Sequence, residues 1–215
     1  MGKLALGCLG VLLLVVVICA ISFAGTYNRL VTLGQDVDKQ WSEVENQYQR
    51  RADLIPNLVQ TVQGAANFEK ETLTAVTEAR ASVGRATITP GKAPADAESL
   101  AKYQAAQDQL GSALQRLLVV SERYPELKAN QNFRDLQAQL EGTENRITVA
   151  RGRFNDSAQQ YNTVLKRFPT NLMAGFLGFK EKPYFKATTP GAEQAPKVNF
   201  NFGNTNAAPT AAPAK

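Results

Sequence analysis

Apolar and small residues recur at Tyr27, Leu30, Gly34, Val37, Trp41, Val44, Tyr48, Ile55, Leu58 and Val62. The steps alternate three and four, and Arg51 stands in the one slot that breaks the apolar rule. Such alternation draws a single stripe along a helix and is the seam of a helix bundle. Pro56 lies inside the stretch and predicts a helix kink, because its ring crowds the carbonyl of Ala52 and removes a backbone hydrogen bond. A fresh helix capped by Asp53, with Pro56 in its first turn, is the alternative. The stripe crosses Pro56 in register, which favours the kink.

The same reading predicts three further helices. Gly64 to Asn67 reads as a turn, and a second helix follows over 68–85 with Leu73, Val76, Ala79 and Val83 inward. Residues 87–94, TITPGKAP, are a loop by composition. A third helix over 95–124, ended by Pro125, carries the stripe Leu100, Tyr103, Gln107, Leu110, Leu114, Leu117, Ser121 and Tyr124. A fourth over 131–168, ended by Pro169, carries Phe133, Leu136, Leu140, Thr143, Ile147, Ala150, Phe154, Ser157, Tyr161, Val164 and Phe168. Four helices joined by short loops predict an all-α, up-down-up-down four-helix bundle over 27–168.

Ahead of the stripe, Leu4 to Ala24 is an uncharged apolar run of about 20 residues, enough to cross the hydrocarbon core. A retained anchor over 1–26 is the preferred reading. A cleaved signal ending at Ser22-Phe23-Ala24 stays open, although the run is long for one, and a lipoprotein at Cys8 has too short a leader. The stripe starts at Tyr27, so the anchor is expected to continue as one helix into the bundle. Lys3 on one side and Arg29 and Lys39 on the other leave the orientation undecided by charge.

Beyond Pro169 the character changes. Residues 169–186 form a short aromatic, lysine-flanked segment with Phe176, Phe179, Lys180, Lys182 and Phe185. After four alternating helices the chain is back at the membrane end. These residues either lie in the headgroup layer or cover the open bottom of the bundle or a groove between helices, the second slightly preferred. Residues 187–215 are rich in Pro, Ala, Asn and Thr and predict a disordered tail, in which Val198 to Phe202 alternates like an extended strand.

The chain contains no histidine, and its two cysteines, Cys8 and Cys19, both fall in the apolar run. This removes the commonest metal ligand and general base, and any disulfide framework from the rest. The net charge of +5 is spread out, so no nucleic-acid surface is expected. Pro90-Gly91-Lys92 lacks the spacing of a phosphate loop, and there is no zinc-protease motif or nucleophile elbow. No catalytic residue, cofactor or metal is expected.

Several stretches are collinear with one known family. They are Tyr27 to Val31, Trp41 to Val44, Gln49 to Val59, Glu78-Ala79-Arg80, Tyr161-Asn162, Phe168-Pro169, Gly178-Phe179, Tyr184-Phe185 and Pro196 to Phe200. The chain thus resembles the LemA family of bacterial membrane proteins. The resemblance implies one N-terminal span and a four-helix domain, in the bacterial inner membrane with the bundle on the cytoplasmic side. It supplies no catalytic residue. The Ala/Asn/Pro extension after Phe200 departs from the family pattern.

Counting about 1.5 Å per residue from Tyr27 puts Arg51, Arg80, Gln107 and Thr143 at similar heights. A polar layer is therefore predicted, with Glu144 or Glu78 as the partner of Arg51. The competing reading, given the larger share, lets Arg51 swing out at Pro56 and reach water. The function expected is a membrane-anchored helical scaffold that binds the lipid bilayer and a protein partner or a second copy. A membrane-bound sensor or ligand-binding domain with a movable joint at Pro56 is the alternative, and an enzyme is not expected.

Overall fold

A computed structural model describes residues 2–64, 69–86 and 88–186. Among the described residues the regular elements are all helices, without a strand. They form α1 (Gly2–Gln63), α2 (Lys70–Arg85), α3 (Ala97–Ser121), α4 (Pro125–Ala129), α5 (Gln131–Lys166) and α6 (Thr170–Leu177). Most of the expected turn before α2 and the whole tail beyond 186, Val198 to Phe202 included, lie outside the described residues.

α1 is one unbroken helix of 62 residues, about 90 Å long, and it passes Pro56 without interruption. Its first part carries Leu9, Val11 to Ile18, Ile21 and Phe23, all exposed. Such a continuous apolar surface suits hydrocarbon and not water. The protein is a membrane protein with this one long apolar N-terminal helix. From Leu30 onward the same helix is amphipathic: Leu30, Val37, Trp41, Val44, Tyr48, Arg51, Ile55, Leu58 and Val62 are all buried.

α1 packs along α5, and α2 packs along α3. The α1–α5 pair is antiparallel with a definite register. A Cβ on Gly34 would stand 3.7 Å from the Tyr161 ring, and Arg51 meets Glu144. Going from Gly34 to Arg51 on one helix and from Tyr161 to Glu144 on the other covers the same number of residues. Asp96 caps α3, accepting from the Ser99 N–H at 2.7 Å, and Asn130 caps α5, accepting from the Phe133 N–H at 3.3 Å.

Two buried clusters fill the body. The half nearer the apolar run contains Leu30, Val37, Trp41, Val44, Tyr48, Leu100, Ile147, Phe154, Tyr161 and Phe185. The far half contains Ile55, Leu58, Val62, Val76, Ala79, Leu110, Leu114, Leu117, Phe133 and Leu140. α2 contributes to the far cluster alone. With 16 residues it spans about 24 Å, against about 37 Å for the 25-residue α3. The fourth side of the near half is closed instead by Ala93 of the α2–α3 loop and by an extended strap over 179–186.

Three expectations change. α3 ends at Ser121, not Tyr124, and Pro125 opens the short α4 at its first position, where its missing N–H costs little. α5 ends at Lys166, so Phe168 leaves the stripe and is 80% exposed. Phe179 and Phe185 turn inward while Phe176 points out, so the aromatic segment does not act as one unit. The reversal occurs at Gly178, which takes φ +76, a conformation that favours glycine, and the Phe179 N–H caps the Ala174 carbonyl at 3.0 Å.

Candidate functional site

The two apolar clusters meet at a polar level. Arg51 lies between Tyr48 and Ile55 on α1, Gln107 between Tyr103 and Leu110 on α3, and Thr143 between Leu140 and Ile147 on α5. Each occupies a stripe position, so helix periodicity alone brings it inward. The Arg51 guanidinium is 2% exposed, so the preferred expectation that it swings out at Pro56 and reaches water is overturned: α1 continues through Pro56 and keeps Arg51 on the buried stripe. Its Nη1 donates to Glu144 Oε1 at 2.7 Å, and its Nη2 donates to the Gln107 carbonyl at 2.9 Å and to Gln107 Oε1 at 2.5 Å. Charge-assisted bonds of this kind offset the cost of burying the cation. Thr143 is fully buried and turns its hydroxyl back to the Gln139 carbonyl at 2.7 Å. Arg80 and Glu78 are exposed on α2 and are not among the groups that bond Arg51. They flank Ala79, the buried position of that turn, and so point away from the body.

A second arginine extends the polar level towards the apolar run. Arg151 Nε donates to the Tyr48 hydroxyl at 2.7 Å, and its Nη2 donates to Asp108 Oδ1 at 2.9 Å. The guanidinium carbons of Arg51 and Arg151 lie 5.3 and 5.5 Å from the Tyr48 ring centroid. Burial pushes the Tyr48 hydroxyl up to about 12, against the pull of the Arg151 and Arg51 charges. Burial also raises Tyr103. Arg151 and Asp108 were not anticipated. The signal available was weak: each stands one residue after a stripe position, Ala150 and Gln107, at the flank where charged residues commonly meet across helices.

Beside Glu144 the surface opens into a cleft of about 400 Å3 between α3 and α5, lined by Gly111, Leu114, Leu118, Leu140, Glu141 and Glu144 among others. A Cβ on Gly111 would stand 3.5 Å from Arg51 Nη1, so the glycine thins the wall over the guanidinium. Among the described residues, no group of three or more His, Cys, Asp or Glu side chains is placed to hold a metal ion.

The strap is held in a different way. The Asn162 amide donates to the Lys182 carbonyl at 2.8 Å and accepts from the Lys182 N–H at 2.8 Å. Asn155 does the same to Phe185, at 3.1 and 2.9 Å. Gln104 does the same to Lys186, at 2.9 and 3.4 Å. Three side-chain amides thus supply the hydrogen bonds that a neighbouring β-strand would otherwise give an extended chain. The Phe185 ring stacks on Trp41 at 6.0 Å, and its edge meets Phe154 at 5.5 Å. Lys182 is half-buried, its Nζ 3.8 Å from Asp38, while Lys180 is exposed. Replacing both Asn155 and Asn162 with alanine is expected to free the strap. Hydrogen exchange at the Lys182 and Phe185 amides should speed up by on the order of tenfold or more. Unchanged exchange would show that aromatic packing alone holds the segment.

A family model described as the LemA family matches residues 40–200. The magnetosome proteins MamQ 1 and MamQ 2 of Paramagnetospirillum magneticum are each 27% identical over 208 residues, covering 88% of this chain and 76% of the relative. Magnetosome protein MamQ of Magnetospirillum gryphiswaldense is 28% identical over 180 residues, covering 77% and 66%. Protein LemA of Metamycoplasma hominis is 23% identical over 166 residues, covering 77% and 71%.

Proposed function

We propose, from the premise that this chain belongs to the LemA family, that it is a membrane-anchored helical scaffold without a catalytic site. The observation that carries the reading is the continuity of α1. One helix presents an exposed apolar surface over its first part and the buried stripe of the body over the rest. An attachment of that kind holds a folded body close to the bilayer. The interior at Trp41, Phe154 and Leu58 is taken up by the protein's own side chains, which leaves the outer faces for contact with other molecules. In this reading the chain crosses a bacterial inner membrane once, and its body faces the cytoplasm, as the family resemblance implies. The far half is an up-down-up-down four-helix bundle of α1, α2, α3 and α5. The polar level at Arg51, Gln107, Thr143 and Glu144 sets the register of α1 against α3 and α5.

Crosslinking in intact membranes tests the scaffold. The expected result is a defined set of protein adducts, or adducts between two differently tagged copies, above those of an unrelated single-span protein of equal abundance. Deleting residues 4–24 should abolish them. Adducts no different from those of the control protein would overturn the reading.

The cleft beside Glu144 favours a second reading, a sensor or ligand-binding body with a joint at Pro56. A small molecule in that cleft would compete with Arg51 for Glu144 and so bias the α1–α5 contact. A rise in Tm with a ligand, lost when Gln115→Trp fills the cleft, is the outcome that would select it.

A further inference from the structure

α6 buries Thr170 and Ala174. Leu172 and Phe176 follow each by two residues, a turn of about 200°, and so occupy the opposite face. Leu172 is 68% exposed and Phe176 89%, and Phe168, just ahead of the helix, is 80% exposed. Leu172 and Phe176 make one bare row on α6 with Phe168 bare just ahead of it, and large apolar side chains exposed together on a folded body mark a contact surface.

The α1–α5 register says where that row lies. Gly34 opposes Tyr161, so five residues down each helix Lys166, the last residue of α5, comes level with Arg29, about 3 Å above Tyr27. At the other end of α6, the Phe179 ring meets the Tyr27 ring edge-on at 5.8 Å. The eight-residue α6, about 12 Å long, is therefore entered from the level of Arg29 and left beside Tyr27, at the foot of the body. Tyr27 is three residues beyond Ala24, the last residue of the apolar run, or about 4.5 Å above it. The body covers one face of α6, and the other is turned away at the level where the bilayer ends. Arg29, Arg167 and Lys180 are exposed around it and suit lipid phosphates.

We propose that α6 is an interfacial helix whose Phe168, Leu172 and Phe176 side chains enter the headgroup–acyl boundary of the bilayer that holds α1. The inference rests on the anchored reading. It adds a second membrane contact, in the plane of the surface, which fixes the tilt of the body. The occupant of this face is phospholipid, because the same chain already delivers the face to the bilayer surface.

The test uses the full chain with Phe176→Trp in vesicles of phosphatidylglycerol and phosphatidylcholine, with and without lipids carrying a nitroxide near the glycerol. Trp41 is the only native tryptophan and is buried about 21 Å above Tyr27, so its emission is the constant baseline. Phe176 is almost fully exposed, which makes the substitution neutral for folding. The added emission is expected to be blue-shifted and to lose most of its intensity to the nitroxide lipid. Val119→Trp, on an exposed position of α3 in the far half, should keep its intensity. Added emission at the wavelength of water-exposed tryptophan, indifferent to the nitroxide, would overturn the proposal. So would a blue shift that ignores the nitroxide and fades as protein is diluted in the bilayer, since a second copy would then cover the face. Failure of the full chain to float with the vesicles at all would sink the anchored reading itself.

Discussion

Trp41→Ala is expected to lower the unfolding free energy by about 3–5 kcal/mol, the range for truncating a large aromatic in a packed core. Trp41 has no exposed surface, and it is where α1, α3, α5 and the strap meet. Tyr103, Phe154 and Phe185 surround it with ring centroids at 5.6, 5.5 and 6.0 Å. Among the described residues its indole N–H meets no acceptor, so the loss comes from packing and not from a broken hydrogen bond. The near half lacks α2, and its helices cannot close over the void as a complete bundle would. The strap should loosen along with the core, exposing 179–186 to protease while α5 stays intact. Urea unfolding followed by far-UV circular dichroism, on the full chain in detergent, measures the first effect. A change below about 1 kcal/mol would mean that the ring cluster does not bear on stability.

Glu144→Ala is expected to cost about 2–3 kcal/mol, and Arg51→Met much less or nothing. The asymmetry follows from burial. Arg51 is enclosed at 2% exposure, whereas the Glu144 side chain is 46% exposed and can return to water. Removing the carboxylate leaves a buried cation with Gln107 alone. Removing the cation for an apolar side chain of similar length leaves no charge inside and only the Gln107 amide to satisfy. The double variant should resemble Arg51→Met, because the cost of losing Glu144 exists only while the guanidinium is present. A larger loss for Arg51→Met than for Glu144→Ala would show that the ion pair contributes net stability and does not merely fix register.

The stripes on α1 and α5 were legible because a long helix with one buried face repeats its period many times. That period also set Arg51, Gln107 and Thr143 in inward slots with Glu144 or Glu78 at a similar height, but the reading preferred on the sequence, an outward swing of Arg51 at Pro56, fails because α1 passes Pro56 unbroken and Glu144 meets the guanidinium inside. It misplaced Phe168 because a stripe carries no information past the end of its helix, which comes at Lys166. Arg80 went wrong because α2 turns Thr72, Leu73, Val76, Ala79 and Val83 to the body and leaves Arg80 exposed. The strap was hidden for a different reason. Lys182 to Lys186 has no period, and Gln104, Asn155 and Asn162 read as ordinary polar positions until the returning chain lies across them. Recognition between a backbone and a side-chain amide depends on tertiary placement that local pattern does not encode.

On the anchored reading α1 runs without a break from lipid to core, and the azimuth of the body around the membrane normal is counted in residues. No hinge absorbs a change in that count: Gly25 is helical, and a Cβ there would touch nothing within 4 Å. One alanine inserted after Gly25 would therefore turn the body by about 100° and lift it by about 1.5 Å. Whatever stands beside this protein in the bilayer meets a face chosen by the arithmetic of a single helix.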